Sequence, residues 1–294
     1  MIMNLFNDTA DDAPRSGKLP ADTRSVIAPD DKSGWCVLGQ SPESDPHTSP
    51  PADNGGNHSA PLVPATDHID WKAVTIALDA QGWAVLPALL KGTECDAIAA
   101  LYDNDDGFRS RVVMARHGFG RGEYRYFSYP LPAIIQGLRA NLYPKLAPIA
   151  NRWHERMGIA SRFPQTHLEF LDRCHAAGQT RPTPLLLRYG PDDYNCLHQD
   201  LYGEHVFPLQ IAALLSEPGQ DFDGGEFVLT EQRPRMQTRP AVVPLHKGDA
   251  VIFAVNSRPV QGTRGDYRVA LRHGVSKVRS GQRHTVGIIF HDAT

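Results

Sequence analysis

The chain reads as an α+β protein in which a helical N-terminal layer precedes an all-β core of barrel or two-sheet jelly-roll type. Three observations predict this. Helix caps and helical spacing of apolar residues occur between residues 70 and 178. Seven short β-rich runs follow Pro182, and turn signals such as Gly-Pro, Asp-Gly-Gly, Lys-Gly-Asp and Ser-Gly-Gln separate them. Many short strands with turns every 8–12 residues are the signature of such a core.

Residues 1–67 hold nine of the 24 prolines but only two aromatics, Phe6 and Trp35. The stretch SPESDPHTSPPADNGGNHSAP (41–61) has too little apolar area to offset the entropy of ordering, so 1–67 is expected to be a disordered, acidic, Pro-rich tail. Order starts at Asp70, the N-cap of a short helix that Gly82 ends. WAVLP (83–87) reads as a strand, and Thr93 with Asp96 three residues later opens a second helix. Residues 131–158 have helical periodicity that Pro144 splits into two pieces. PQTHLEFLDRCHAAG (164–178) starts with Pro and stops with Gly, as helices do. The β runs are then LLLRYG, LQIAALL, EFVLTE, AVVPL, DAVIFAV, YRVALRHGVSKV and RHTVGIIF, without internal repeats. The expected organisation is the tail (1–67), a helical support with a substrate lid (68–180) and the β core (181–294), with 68–294 as one folded unit.

Composition excludes several classes. Hydrophobic content of 41% with 21% charged residues is that of a globular protein, and no apolar run approaches the ~20 residues needed to span a bilayer. The start, MIMNLFNDTADDAPR, has neither a basic n-region nor an apolar h-region, so secretion is not expected. Four scattered cysteines (Cys36, Cys95, Cys174, Cys196) form no CxxC pair, which excludes a disulfide framework and a Cys-rich zinc site. A cytoplasmic protein is expected, and no obligate protein partner can be inferred. Net charge is −3, but 1–67 carries −6 and 231–294 carries +7. An acidic tail ahead of a basic fold can leave a local positive field for polyanions; a solvated linker on an ordinary basic surface accounts for the numbers equally well.

The chemistry lies in the β region. CLHQDLYG places His198 and Asp200 two residues apart, so on an extended segment imidazole and carboxylate point the same way and can share one metal. In RVALRHGVSKV, alternation puts Val269, Leu271, His273 and Val275 on one face, with Arg268, Arg272 and Ser276 on the other. A single histidine on an apolar face is usually a hydrogen-bonded core residue. Arg283, ten residues on, shifts that balance. It shares a face with Thr285 and Gly287, and an inward guanidinium beside small residues needs an anion, which a carboxylate supplies in bidentate fashion. Two His, one Asp and a facing Arg describe the facial triad of non-haem Fe(II) oxygenases. Three protein ligands leave two positions for the 2-oxo and carboxylate oxygens of 2-oxoglutarate and one for O2, with Arg283 on the distal carboxylate.

Competing assignments stay open. His291 is the best substitute ligand, His246 and His284 suit surface roles, and Arg272 or Arg279 could replace Arg283 without its spacing. Asp223 and Glu226 flank Gly224-Gly225, read as a hairpin turn. The absence of HExxH from the sequence lowers a zinc-hydrolase reading.

These residues resemble the 2-oxoglutarate/Fe(II)-dependent dioxygenase superfamily, whose fold is the double-stranded β-helix; residues 181–294 cover that core. HxD, then His, then a basic residue ten positions later is similar to prolyl-hydroxylase-like members. RYGPDDYNCLHQD also resembles the AlkB-type pattern, which implies that Tyr189, nine residues before His198, contacts 2-oxoglutarate. Leu187 stands where AlkB-type enzymes usually have Asn, and their arginines lie farther beyond the distal His. GGEFVLTEQRPRMQ, GDAVIFAV, RPVQGTRG, LRHGVSKVRSGQRHT and GIIFHDA are more similar to a bacterial-type group of predicted nucleic-acid-modifying oxygenases, with similarity reaching back to about residue 70. The resemblance implies Fe(II) on His198, Asp200 and His273, 2-oxoglutarate on Arg283, Tyr189 and Thr285, O2 as oxidant and L-ascorbate as accessory reductant.

DGFRSRVVMARHGFGRGEYRYFSYP (106–130) interleaves arginines with aromatics and is expected over the mouth of the core. Guanidinium groups can hold phosphates and rings can stack on unpaired bases, so Arg116, Arg121, Tyr124 and Tyr126 are candidate contacts to single-stranded or damaged nucleic acid. The alternative is a β-extension with aromatics packed beneath it and arginines in solvent. QRPRMQTR (232–239) and SRPVQGTRG (257–265) read as further basic loops. The function expected is hydroxylation of a C–H bond, with oxidative demethylation of a base as the leading target. The alternatives are a protein side chain or small metabolite with the same iron chemistry, or a non-catalytic metal- or ligand-binding β-barrel module.

Overall fold

Asp70 begins the regular structure by accepting hydrogen bonds from the Lys72 and Ala73 amides, which caps α1 (Trp71–Gln81). Gly82, in the left-handed region, closes it and turns the chain into β1 (Trp83–Leu86). The computed structural model describes residue 66, residues 68–201 and residues 203–294. All lie within one unit, Asn57–Thr294. The tail expected over 1–67 falls, Thr66 apart, outside the described residues.

The remaining elements are α2 (Gly92–Ala100), β2 (Phe108–Val113), β3 (Gly120–Arg121), β4 (Glu123–Phe127), α3 (Ala133–Arg156), α4 (His167–Ala176), β5 (Leu185–Tyr189), β6 (Tyr194–His198), β7 (Leu209–Leu214), β8 (Phe222–Gly224), β9 (Phe227–Gln232), β10 (Arg239–Val243), β11 (Ala250–Ala254), β12 (Ser257–Gly262), β13 (Gly265–Val275), β14 (Val278–Gly281) and β15 (Arg283–Ile288). One sheet has the order β1-β11-β7-β15-β5-β4-β2, the second β10-β9-β13-β6-β3 with β12 beside β13. Every ladder in these sheets is antiparallel. The chain passes from β5 in the first sheet to β6 in the second, back to β7, across to β9 and β10, then to β11, β13 and β15. That alternation is the double-stranded β-helix, as expected. The main apolar core lies between the first sheet and the helices, where Leu138, Leu142, Leu146 and Trp153 of α3 meet Leu186, Ile211, Val286 and Ile288.

Several local expectations are corrected. α3 runs unbroken through Pro144 and Pro148. Each proline costs the helix about 3 kcal/mol, but Leu142, Tyr143, Leu146, Ile149 and Trp153 are all buried around them, and each contributes ~1.5–3 kcal/mol. α2 starts at Gly92 rather than Thr93, because Glu94 accepts from the Lys91 amide and sets the cap earlier. α4 starts after Thr166, whose hydroxyl and backbone pair reciprocally with Glu169, so Pro164 lies outside it. Residues 257–262, read as a basic loop, form β12, because Arg258 is neutralised inside by Glu231 and by the Asp79 and Ala80 carbonyls ending α1. Gly224-Gly225 is no hairpin: β8 pairs with β14, so the glycines carry the chain from that small sheet into β9.

Candidate metal centre and cosubstrate cavity

Sheet register brings the distant histidines together. His273 of β13 pairs directly with His198 of β6, and their rings lie 4.2 Å apart. The register then slips before Val275, and Gly274 fills the slip: a Cβ there would come within 2.7 Å of the Asn195 carbonyl oxygen. Asp200, just beyond the end of β6, closes the group, with one carboxylate oxygen 3.4 Å from His198 Nε2 and the other 3.4 Å from His273 Nε2. All three ligand atoms lie within 4.8 Å of one another.

The electrostatics suit a cation. Burial opposes ionisation of Asp200, but hydrogen bonds and charge from the two imidazoles hold its carboxyl well below the usual range. His198 Nδ1 lies 2.8 Å from the Cys196 carbonyl and donates there, so Nε2 is the ring atom turned to Asp200 and His273 and the one that would give its lone pair to a metal in place of the proton shared with Asp200. A carboxylate between two imidazoles is the donor set for an ion with open positions.

The group lines a cavity of about 380 Å³ between the sheets. Across from it on β15 stand Arg283, Thr285 and Gly287, the face predicted by alternation. Arg283 is 2% exposed, donates to Thr285 Oγ1 at 2.5 Å, and lies over the Tyr189 ring at 5.6 Å. Among the described residues it forms no ion pair and its Nε has no hydrogen-bond partner. Burial pulls its guanidinium down to about 10, so an anion beside it would restore the lost solvation. The donor set on one wall and, on the other, a buried guanidinium that forms no ion pair among the described residues fit a metal with a carboxylate-bearing cosubstrate.

Tyr189 and Thr285, buried, line the same cavity, as do Tyr124 and Tyr126. Arg116 and Arg121 do not line it; both are exposed, and Arg121 Nε stands 4.0 Å from Asp193. The segment 106–130 is largely a β-extension, since β2 and β4 widen the first sheet. There Arg111 and Arg188 pair with Glu123 and Arg125 with Asp105, leaving Phe119 at the cavity mouth. His291 is buried away from the triad, with Nδ1 facing the Phe207 amide, and Arg279 pairs with Asp223, so neither substitutes. Sequence reasoning missed Phe227 and Phe253, whose rings flank His273, and Gln210 in the cavity wall. Gln210 did leave a signal, as the polar residue within LQIAALL.

Residues 122–293 match a family described as "Oxygenase, catalysing oxidative methylation of damaged DNA". Two curated relatives, the uncharacterized proteins MT2286 and Rv2227 from two strains of Mycobacterium tuberculosis, are each 50% identical over 167 residues, covering 57% of this chain and 72% of theirs. Among solved structures, a Pseudomonas putida prolyl-4-hydroxylase aligns at 17% identity and TM-score 0.45 over 76% of this chain and 99% of its own. A Burkholderia pseudomallei oxidoreductase of the 2OG-Fe(II) oxygenase family aligns at 17% and 0.45 over 80% and 99%. No helix among the described residues is long and apolar enough to cross a membrane. With the family match spanning the β core and the triad inside it, the chain belongs to this oxygenase family.

Proposed function

We propose that the protein hydroxylates an N-methyl group on a damaged or modified base of single-stranded nucleic acid, as a DNA- or RNA-repair dioxygenase. The observation that carries the chemistry is the pairing of one His-Asp-His group with one buried, unneutralised guanidinium in a single cavity. The family description supports the substrate class.

In this reading His198, Asp200 and His273 hold Fe(II), and Arg283, with Tyr189 and Thr285, holds the distal carboxylate of 2-oxoglutarate. Iron, 2-oxoglutarate and O2 together supply the oxidation, placing one oxygen atom in a C–H bond of the substrate and the other in succinate as CO2 leaves. The chain's own residues bind and orient. His198 keeps its Nε2 lone pair available through the Cys196 carbonyl, Phe227 and Phe253 hold the His273 ring, and the apolar walls exclude water. A hydroxymethyl group on a base nitrogen then collapses to formaldehyde and the unmethylated base. Tyr124 and Tyr126 present rings to a flipped base, while Arg116 and Arg121 outside the cavity meet the phosphates.

Without oxygen, Fe(II) and 2-oxoglutarate should give the weak visible charge-transfer band of a chelated 2-oxo acid. Asp200→Ala or His198→Ala should remove the band and turnover while keeping the unfolding transition. A colourless wild-type mixture overturns the site. Succinate release stimulated by a single-stranded N-methylated oligonucleotide, and not by a proline-rich peptide, is the expected substrate result; the reverse transfers the chemistry to a protein target.

A further inference from the structure

Gln210 of β7 is 3% exposed, lines the cavity, and its amide nitrogen has no hydrogen-bond partner. It pairs across the sheet with Phe253, whose ring contacts His273 at 4.5 Å. The cavity therefore has a polar donor at the level of the triad, on the wall facing it. Its neighbours in the lining along β7, Ile211 and Ala212, and its ladder partner Phe253 have no side chain that accepts a hydrogen bond.

An unpaired buried amide donor is costly, and a leucine would fill the same volume without that cost. The arrangement makes sense when a ligand supplies the acceptor. Thr285, which Arg283 touches, pairs with Leu214, four residues along β7 from Gln210, so Gln210 lies away from the guanidinium end of the cavity and at the level of the triad, where the substrate must present its reacting group.

Resting on the function proposed above, we infer that Gln210 determines substrate specificity. Its amide N–H donates to a ring nitrogen or carbonyl oxygen of the base whose methyl group faces the triad. Every nucleobase carries such acceptors, and a site that must satisfy a buried donor rejects a ligand that lacks one.

The test is Gln210→Leu in the full chain. Its thermal midpoint should equal or exceed that of wild type, because an unsatisfied donor is removed. The anaerobic titration of Fe(II)-loaded protein with 2-oxoglutarate should keep its band and affinity. With a single-stranded oligonucleotide carrying one N-methylated base, kcat/KM should fall at least ~10-fold. A deaza analogue, with the acceptor nitrogen replaced by C–H, should cost wild type a similar factor and the variant little. A midpoint lowered by several degrees makes Gln210 structural, a weakened 2-oxoglutarate titration assigns its amide to the cosubstrate, and unchanged kcat/KM leaves it without a role; each overturns the inference. A wild-type enzyme inert to the oligonucleotide overturns the nucleic-acid reading and this inference together. Failure of Gln210 alone leaves wild type active.

Discussion

Among the described residues three arginines are buried almost completely, and they divide into two kinds. Arg139 of α3, 0% exposed, donates to Asp292 at 2.9 Å and to the Phe290 carbonyl at 2.9 Å. Arg258 of β12, 1% exposed, donates to Glu231 at 2.6 Å and to the carbonyls that end α1. Arg283 is as deeply buried, yet among the described residues it donates to the Thr285 hydroxyl and forms no ion pair. Arg139 also leaves its Nε unpartnered, so the contrast lies in the countercharge rather than in every N–H. A buried arginine matched by a carboxylate ties elements together, whereas one without a countercharge is a site waiting for an anion. The first kind joins the C-terminal segment to α3 and the β12 hairpin to α1; the second shares its cavity with His198, Asp200 and His273.

The largest effect expected from this contrast is on stability at the C-terminal segment. Asp292 accepts from Arg139, from the Tyr129 hydroxyl and from His175, and is fully buried. Asp292→Ala strands the Arg139 charge and should cost about 3–5 kcal/mol in urea unfolding. Replacing both partners, Arg139→Met with Asp292→Leu, should recover most of that loss, because the desolvation cost disappears with the charges. A cost below ~1 kcal/mol for Asp292→Ala removes the distinction between the two kinds of arginine.

Acid should attack the same region next. His167 Nε2 lies 2.8 Å from the Phe290 carbonyl, and burial, aided by the Arg139 charge, pulls its pKa down to about 4; burial does the same to His291. Both are neutral when folded and titrate near 6.5 when unfolded. As pH falls from 6.5 to 4 the unfolded chain takes up protons the folded chain refuses, so stability falls across that window and levels off below it for these groups. Each histidine contributes up to about 3 kcal/mol of that loss. His167→Gln should flatten the pH dependence of unfolding between 6.5 and 4, and an unchanged slope would show that His167 is not its source.

Legibility in the sequence followed the range of the interaction. The seven β runs after Pro182, the inward face of β13 and the Arg283-Thr285-Gly287 face were readable because alternation is local and one side of each strand is buried. His198 and Asp200 were readable as neighbours two residues apart. Pro144 misled because its cost is local while the burial that offsets it comes from other elements, such as Phe170 of α4 and Phe207 and Phe290 beyond it, which pack on Tyr143. Arg258 looked like a loop charge because Glu231, 27 residues earlier, neutralises it. The same limit hid Gln210, whose meaning depends on facing a cavity and not on its neighbours in the chain.

The smallest effect on stability, and the most informative, should come from Arg283→Met. The methionine keeps most of the apolar volume and removes a desolvated charge that has no countercharge, so urea unfolding should move by less than ~1 kcal/mol in either direction. Cosubstrate binding should respond instead. A buried guanidinium gripping a carboxylate supplies charge-assisted hydrogen bonds of about 1.5–3 kcal/mol, so half-saturation of the anaerobic 2-oxoglutarate band should need roughly 10- to 100-fold more cosubstrate. The band itself should keep its position, since the triad is untouched. A shorter 2-oxo monoacid, which has no distal carboxylate, should bind wild type and variant alike. If Arg283→Met instead unfolds the protein as readily as Asp292→Ala, the guanidinium is holding the two sheets together and the division of the buried arginines fails.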